Sequence, residues 1–212
     1  MDCCSVYESQ FDAESAMVAA QRYRTDGLVG PARALADALI DYGVEGRTVI
    51  DLGGGVGSLG IELVRAGAAS AVNVELSSAY RKAGEALALE YEVADRVTLR
   101  VADAADPTAG LGGADFVVMN KVVCCYPDGR ALMDAASAAA TRLLAVSYPS
   151  VHFLARAVTR ADNWRRKRNG CGFRTYVHPA AVIDRPQWHG FAPVLTRRRP
   201  VWSLKVWEAA VA

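Results

Sequence analysis

Apolar residues near the start of the chain recur at helical spacing: Phe11, Met17 and Val18, then Leu35, Ala38 and Leu39. Residues 5–45 are therefore predicted to be helical. Gly27-Leu28-Val29-Gly30-Pro31 breaks this stretch, and Pro31 suits the first turn of a second helix. From Thr48 the period changes. Short β-rich runs fall at Thr48 to Leu52, Ala71 to Leu76, Val97 to Val101, Phe116 to Met119 and Leu143 to Ser147. Helical stretches separate them: one around Leu59, Ile61, Leu63 and Val64, one from Ser78 to Tyr91, and one from Gly129 to Thr141. Strands alternating with helices predict an α/β fold, a parallel sheet covered on both faces. After Tyr148-Pro149 the alternation pauses over residues 151–177, read as an insertion above the sheet. Pro179 to Trp188 is predicted as a helix. Residues 193–196 and Val201 to Trp207 are predicted as a terminal hairpin, with Trp202, Leu204 and Val206 alternating against Ser203, Lys205 and Trp207.

Composition narrows the possible functions. The chain has 212 residues, 52% hydrophobic and 22% charged, with a net charge of +1. That length suits one domain with appendages and needs no disulfide or metal staple. The near-neutral charge argues against a nucleic-acid binder driven by bulk electrostatics. No apolar run reaches the roughly 18 residues a membrane helix needs. The opening Met-Asp-Cys-Cys-Ser-Val-Tyr-Glu lacks a basic, then apolar leader pattern, so a cytoplasmic protein is expected. Cys3, Cys4, Cys124, Cys125 and Cys171 show no CxxC spacing, and no metal site is expected. Cys3 and Cys4 read as part of a mobile terminus, Cys124 and Cys125 as small buried residues close to the site.

The most informative stretch is Val49-Ile50-Asp51-Leu52-Gly53-Gly54-Gly55-Val56-Gly57-Ser58-Leu59-Gly60. A strand feeds a glycine turn that opens a helix, at the end of the sheet where open α/β folds bind ligands. Two cofactor classes compete. Gly55-x-Gly57-x-x-Gly60 matches the dinucleotide fingerprint. Asp51-x-Gly53-x-Gly55-x-Gly57 instead places a carboxylate before the first glycine. A carboxylate there repels a pyrophosphate and suits a ligand bearing an ammonium group. S-adenosylmethionine (SAM) carries an ammonium and a sulfonium and no phosphate.

This segment resembles motif I of the class I SAM-dependent methyltransferases, and the later segments follow that family in order. Asp51, Gly53, Gly54 and Gly55 correspond to the cofactor loop. Glu75, with Leu76 beside it, ends the second strand, where the resemblance implies an acid holding both ribose hydroxyls. Asp103 and Ala104 follow the third strand, at the position of the family's adenine contact. Asn120 and Lys121 follow the fourth, where the family lines the methionine end. The resemblance covers residues 45–150 well. More narrowly, Val122-Val123-Cys124-Cys125-Tyr126-Pro127-Asp128 with Ser147-Tyr148-Pro149 is similar to bacterial methyltransferases grouped with magnesium-protoporphyrin O-methyltransferase. The implied fold is a Rossmann-like three-layer sandwich with a mostly parallel seven-stranded sheet and an antiparallel C-terminal hairpin. The implied organisation is an N-terminal helical lid (1–45), a SAM-binding core (46–150), a substrate-side insertion (151–177), and a last helix and hairpin completing the core (178–212).

The implied activity is methyl transfer from SAM to a small molecule, at oxygen, leaving S-adenosylhomocysteine (SAH). Methylation at N, S or C is the alternative, and a non-methylating cyclase or binding module is the alternative of another class. No nucleic-acid or membrane partner is expected, and the chain is read as a monomer or homodimer. An acceptor of high pKa benefits from a base, whereas a carboxylate needs none. His152, His178 and Tyr148 are the catalytic candidates. Each histidine also has a purely structural reading, and His189 reads as a helix-end residue. Tyr23, Tyr126, Trp164 and Arg165 are the candidate substrate contacts. Phe11, Arg22, Tyr23 and Arg24 are expected to reach inward from the lid, with Tyr23 or Tyr7 as the family's tyrosine before motif I. Arg165-Arg166-Lys167-Arg168, beside Trp164 and Phe173, reads either as a cradle for a planar anion or as a solvated helix face.

Overall fold

The computed structural model describes residue 7, residues 10–150 and residues 153–210. Seven strands form one sheet: β1 (Thr48–Leu52), β2 (Ser70–Glu75), β3 (Val97–Val101), β4 (Ala114–Asn120), β5 (Ala140–Pro149), β6 (Phe191–Arg197) and β7 (Trp202–Ala209). Their order is β3-β2-β1-β4-β5-β7-β6. The strands β1 to β5 pair in parallel, and β7 runs antiparallel between β5 and β6. This is the Rossmann-like architecture the sequence predicts.

The central strands are mostly buried because helices cover both faces; in β1 every residue after Thr48 is buried. In β1, Val49 joins one core layer and Ile50 and Leu52 the other. The first layer packs α1 (Ala13–Asp26), α2 (Gly30–Asp41), α3 (Ser58–Arg65) and α4 (Ser78–Glu90) against one face. The second packs α5 (Gly129–Ala139) and a short α7 (Ala180–Ile183) against the other. Between them in the chain, α6 (Phe153–Arg168) carries the insertion.

Boundaries differ from expectation at three places. The N-terminal helical region is interrupted at Phe11 and Asp12, and the Asp12 side chain accepts from the Ser15 N–H at 2.9 Å to cap α1. The helix expected to reach Thr141 ends at Ala139, because Ala140 pairs with Ala114 and already belongs to β5. The helix expected over Pro179 to Trp188 is one turn of α7 followed by a 3-10 turn, Arg185–His189, with Pro186 near its start. Pro186 has no N–H to continue the α-helical bonding.

Candidate functional site

The chain runs from β1 outward to β3 and then crosses back to β4 on the other side of β1. That reversal opens a crevice at the carboxyl ends of the strands. A cavity of about 390 Å³ lies there, within the roughly 300–1,000 Å³ range of small-molecule pockets. It is lined by Gly53 and Gly55 after β1, by Glu75 and Leu76 at β2, by Asp103 and Ala104 after β3, and by Asn120 and Lys121 at β4.

Glu75 is held by the loop it faces. Gly55 N–H donates to Oε2 at 3.0 Å, and the N–H groups of Leu76 and Ser77 donate to Oε1 at 2.8 and 3.1 Å. Burial pushes its carboxyl pKa up while the three N–H donors oppose the shift. Oε2 carries one backbone donor against two on Oε1, and is the oxygen more open to ligand hydroxyls. Asp103 is fixed similarly. The Ala105 N–H donates to Oδ1 at 2.9 Å, and the Tyr126 hydroxyl lies 2.9 Å from both carboxylate oxygens.

The β4 end is different in character. Asn120 Oδ1 accepts from the Ser147 hydroxyl at 2.8 Å, and Ser147 Oγ accepts from the Lys121 N–H at 2.9 Å. Lys121 adopts φ +60°, left-handed for a residue with a Cβ, a strain on the order of 1–2 kcal/mol. Its ammonium sits 5.1 Å from the centroid of the Trp202 ring, and both residues line the cavity. The neighbouring thiols of Cys124 and Cys125 lie 3.6 Å apart, and both residues also line it. The Cys124 thiol pKa is raised by its contact with Cys125 and by burial, and that of Cys125 is lowered by the same contact, with a further contribution from the Arg166 charge.

Aromatic rings close the top. Phe11 and Tyr7 line the cavity, and each meets Phe173 edge-on, at 5.6 and 5.8 Å between centroids. The Tyr7 hydroxyl donates to the Cys125 carbonyl. The insertion folds back to reach this point. Asn163 of α6 ties down Thr175, accepting from its N–H at 2.9 Å and donating to its carbonyl at 2.7 Å, while Tyr176 N–H donates to the Cys124 carbonyl at 2.7 Å.

Several sequence-predicted residues lie elsewhere. Asp51 and Gly54 do not line the cavity. Asp51 is 0% exposed beneath the loop, and neither carboxyl oxygen has a hydrogen-bond partner among the described residues. Burial first, and the Glu75 charge second, push its pKa up to about 8. It lies beneath the loop and supports it from below, away from the cavity wall.

Tyr23 packs in the core against Tyr91 at 5.1 Å and donates to Glu62 at 2.7 Å. Its phenol pKa is raised by burial and by Glu62. Tyr7 occupies the inward place instead. Arg24 pairs with Glu90 at 2.8 Å, and Arg22 is exposed. Tyr23→Phe should cost about 1 kcal/mol in a denaturant titration, the worth of one hydrogen bond, and leave cofactor affinity unchanged.

His178 is 3.0 Å from the Tyr126 carbonyl, stacks on Tyr176 and does not line the cavity. Its place is structural, because Gly129 packs against its ring: a Cβ on Gly129 would lie 2.8 Å from His178 Cε1. His189 meets Asp134 at 2.7 Å, remote in role from any cavity wall. Tyr148 opens on a second cavity. On α6, Trp164 is 60% exposed with the Arg168 guanidinium over its ring at 4.7 Å, and Arg165 pairs with Asp162 at 2.9 Å. These two face solvent, whereas Arg166 turns inward over Phe173 at 5.2 Å. His152, Cys3 and Cys4 lie outside the described residues.

Sequence reasoning missed Tyr80, Thr175 and Trp202 as cavity walls. Tyr80 sits in the first turn of the helix after Glu75, and that spacing was a usable signal. Thr175 and Trp202 arrive through tertiary folding of the insertion and the hairpin and carry no local mark.

A family model described as a methyltransferase domain matches residues 21–196. No curated protein matches the chain in sequence. Among solved structures, the SAH-bound magnesium protoporphyrin IX methyltransferase of Synechocystis PCC 6803 is similar, with a TM-score of 0.72 and 22% identity over 96% of this chain and 97% of that one. An O-methyltransferase family protein of Burkholderia thailandensis gives a TM-score of 0.72 and 19% identity over 96% of this chain and 62% of that one. The geranyl diphosphate C-methyltransferase of Streptomyces coelicolor A3(2), also with SAH, gives a TM-score of 0.64 and 17% identity over 84% and 78%.

Proposed function

The chain belongs to the methyltransferase-domain family and is a SAM-dependent methyltransferase, and from that premise we propose that it methylates a small molecule at oxygen, in the form of a carboxylate. The observation that carries the acceptor assignment is Lys121. The chain accepts a left-handed backbone at this residue, and the ammonium group sits against Trp202 on the cavity wall. A cation in a half-enclosed apolar site favours an anionic acceptor. A carboxylate oxygen is already a nucleophile, so no base is required. The small-molecule class is supported by the neighbours named for magnesium protoporphyrin IX and geranyl diphosphate.

The cavity residues suit SAM. Glu75 supplies acceptor capacity for the ribose hydroxyls, and Asp103 with Ala104 borders the adenine. Asn120 stands with Lys121 at the methionine end, where Lys121 also meets the acceptor. Two carboxylates along the wall favour a cationic cofactor. When bound, SAM supplies an electrophilic methyl group on a sulfonium. The residues of this chain hold both partners for an in-line approach and exclude water. Tyr7, Phe11 and Phe173 form that lid, joined by the returning part of the insertion. Gly54 and Asp51 shape the loop from beneath.

Tyr126→Phe removes the phenol that caps Asp103 and should weaken SAH binding modestly, by about tenfold or less, as read by calorimetry. The acceptor assignment is tested with isotope-labelled methyl SAM and a panel of small carboxylic acids, phenols, amines and thiols. Label is expected in base-labile methyl esters, and Lys121→Met should raise KM for the acid far more than it weakens SAH binding. Label on nitrogen, sulfur or carbon would overturn the oxygen assignment.

A further inference from the structure

Tyr148 belongs to a second polar site that methyl transfer does not use. In the antiparallel pairing of β5 with β7, Tyr148 stands opposite Ser203. Lys205 lies two residues further along β7, opposite Thr196 of β6. Strand alternation therefore puts these four side chains on one face of the sheet. They line a cavity of about 490 Å³ beside α7, and Arg198 and Arg199 from the β6–β7 turn border it. Tyr148 and Ser203 are 9% and 4% exposed, so these hydroxyls belong to a recess and not to an open surface.

Some of the polar groups are already engaged. Lys205 pairs with Asp184, and Ser150 donates to the Arg199 carbonyl and lies 2.9 Å from the Ser203 hydroxyl. Others are not. Among the described residues, no ion pair is formed by the Arg198 or Arg199 guanidinium and no hydrogen bond by the Tyr148 or Thr196 hydroxyl. Arg198 and Tyr148 line the same cavity, and the Arg198 charge opposes the upward shift that burial and Asp184 impose on the Tyr148 phenol. The lining carries three cationic side chains, Arg198, Arg199 and Lys205, against one carboxylate, Asp184.

We propose that this recess binds a small phosphate-bearing anion, held by Arg198 and Arg199 and by the Tyr148 hydroxyl. A guanidinium fork matches two phosphate oxygens, and a phenol donates to a third. The excess of positive charge suits a dianion better than a lone carboxylate. The site is distinct from the methyl-transfer cavity, and no residue lines both. Trp202, next to Ser203 on β7, lines the first cavity and holds the Lys121 ammonium.

The test is calorimetric titration of the full chain with inorganic phosphate and with pyrophosphate at constant ionic strength. Saturable binding is expected for the wild type. Arg198→Gln should weaken it by about tenfold or more, and Tyr148→Phe by a smaller factor, each having lost a hydrogen bond to a charged group. Both variants should bind SAH as the wild type does, which shows that they are folded. The proposal is overturned by any of three results: no saturable binding of either anion, unchanged affinity in Arg198→Gln, or equal competition by acetate at the same ionic strength. None of these readouts depends on methyl transfer, so the acceptor assignment stands or falls separately.

Discussion

Glu75→Ala is expected to weaken SAH binding by at least about a hundredfold. Glu75 lines the cavity with a carboxylate already fixed by the N–H groups of Gly55, Leu76 and Ser77. Two ribose hydroxyls donating to it would form charge-assisted bonds of about 1.5–3 kcal/mol each, roughly 3–6 kcal/mol together. Each 1.4 kcal/mol is about tenfold in affinity, so the loss lies between about a hundredfold and ten-thousandfold. The alanine also leaves the three N–H donors without their acceptor, a further cost of about 1–3 kcal/mol to the loop. Glu75→Gln keeps the shape and should fall between the wild type and alanine. Calorimetry with SAH measures all three proteins. An alanine variant that binds SAH as tightly as the wild type would mean that the ribose is held elsewhere.

Gly54→Ala should be nearly as damaging, through sterics alone. A Cβ on Gly54 would lie 2.2 Å from Asp51 Oδ2 and 2.6 Å from Asn73 Oδ1. Neither neighbour can retreat. Asp51 is in the central strand β1, and Asn73 donates through Nδ2 to the Gly55 carbonyl at 2.8 Å. The loop must shift instead, and it carries Gly53 and Gly55 of the cavity wall with it. The expected cost is about 1–3 kcal/mol of stability, typical of overpacking, with SAH affinity falling at least about tenfold for each 1.4 kcal/mol lost from the bound loop geometry. Gly113→Ala is the matched control, because its Cβ would meet nothing closer than Thr141 Cγ2 at 3.7 Å. Equal SAH affinity and melting temperature in the two variants would contradict this reading of the loop.

The fold was legible because its signals are local. The run Thr48 to Leu52, its glycine turn and Glu75 at the next strand tip mark a β-α-β unit, and the strand-helix rhythm repeats to Ser147. The mostly parallel seven-stranded sheet then follows from the family resemblance, and the terminal hairpin from its alternation. The placement of Glu75, Leu76, Asp103, Ala104, Asn120 and Lys121 around one cavity was legible for the same reason, since strand tips converge by topology. The lid and insertion were not. Tyr23 and Tyr7 look alike in sequence. What separates them is that α1 turns Tyr23 toward Glu62 and Tyr91, a consequence of helix packing. Trp164 and Arg165 look like ligand contacts by type, yet the face of α6 they occupy points to solvent, and Thr175 reaches the cavity because Asn163 anchors the returning chain. Asp51 shows a different limit. Its spacing marks the glycine turn after β1, but the residue lies buried beneath Gly54, which spacing does not reveal.

The most direct test of the central claim, that SAM occupies the cavity at the β1 to β4 strand tips, is a crystal structure of the wild-type chain with SAH. The expected result has both ribose hydroxyls within hydrogen-bond distance of Glu75, the adenine beside Asp103 and Ala104, and the homocysteine end toward Asn120 and Lys121, beneath Tyr7 and Phe11. SAH bound outside this cavity, or with its ribose turned away from Glu75, would contradict it.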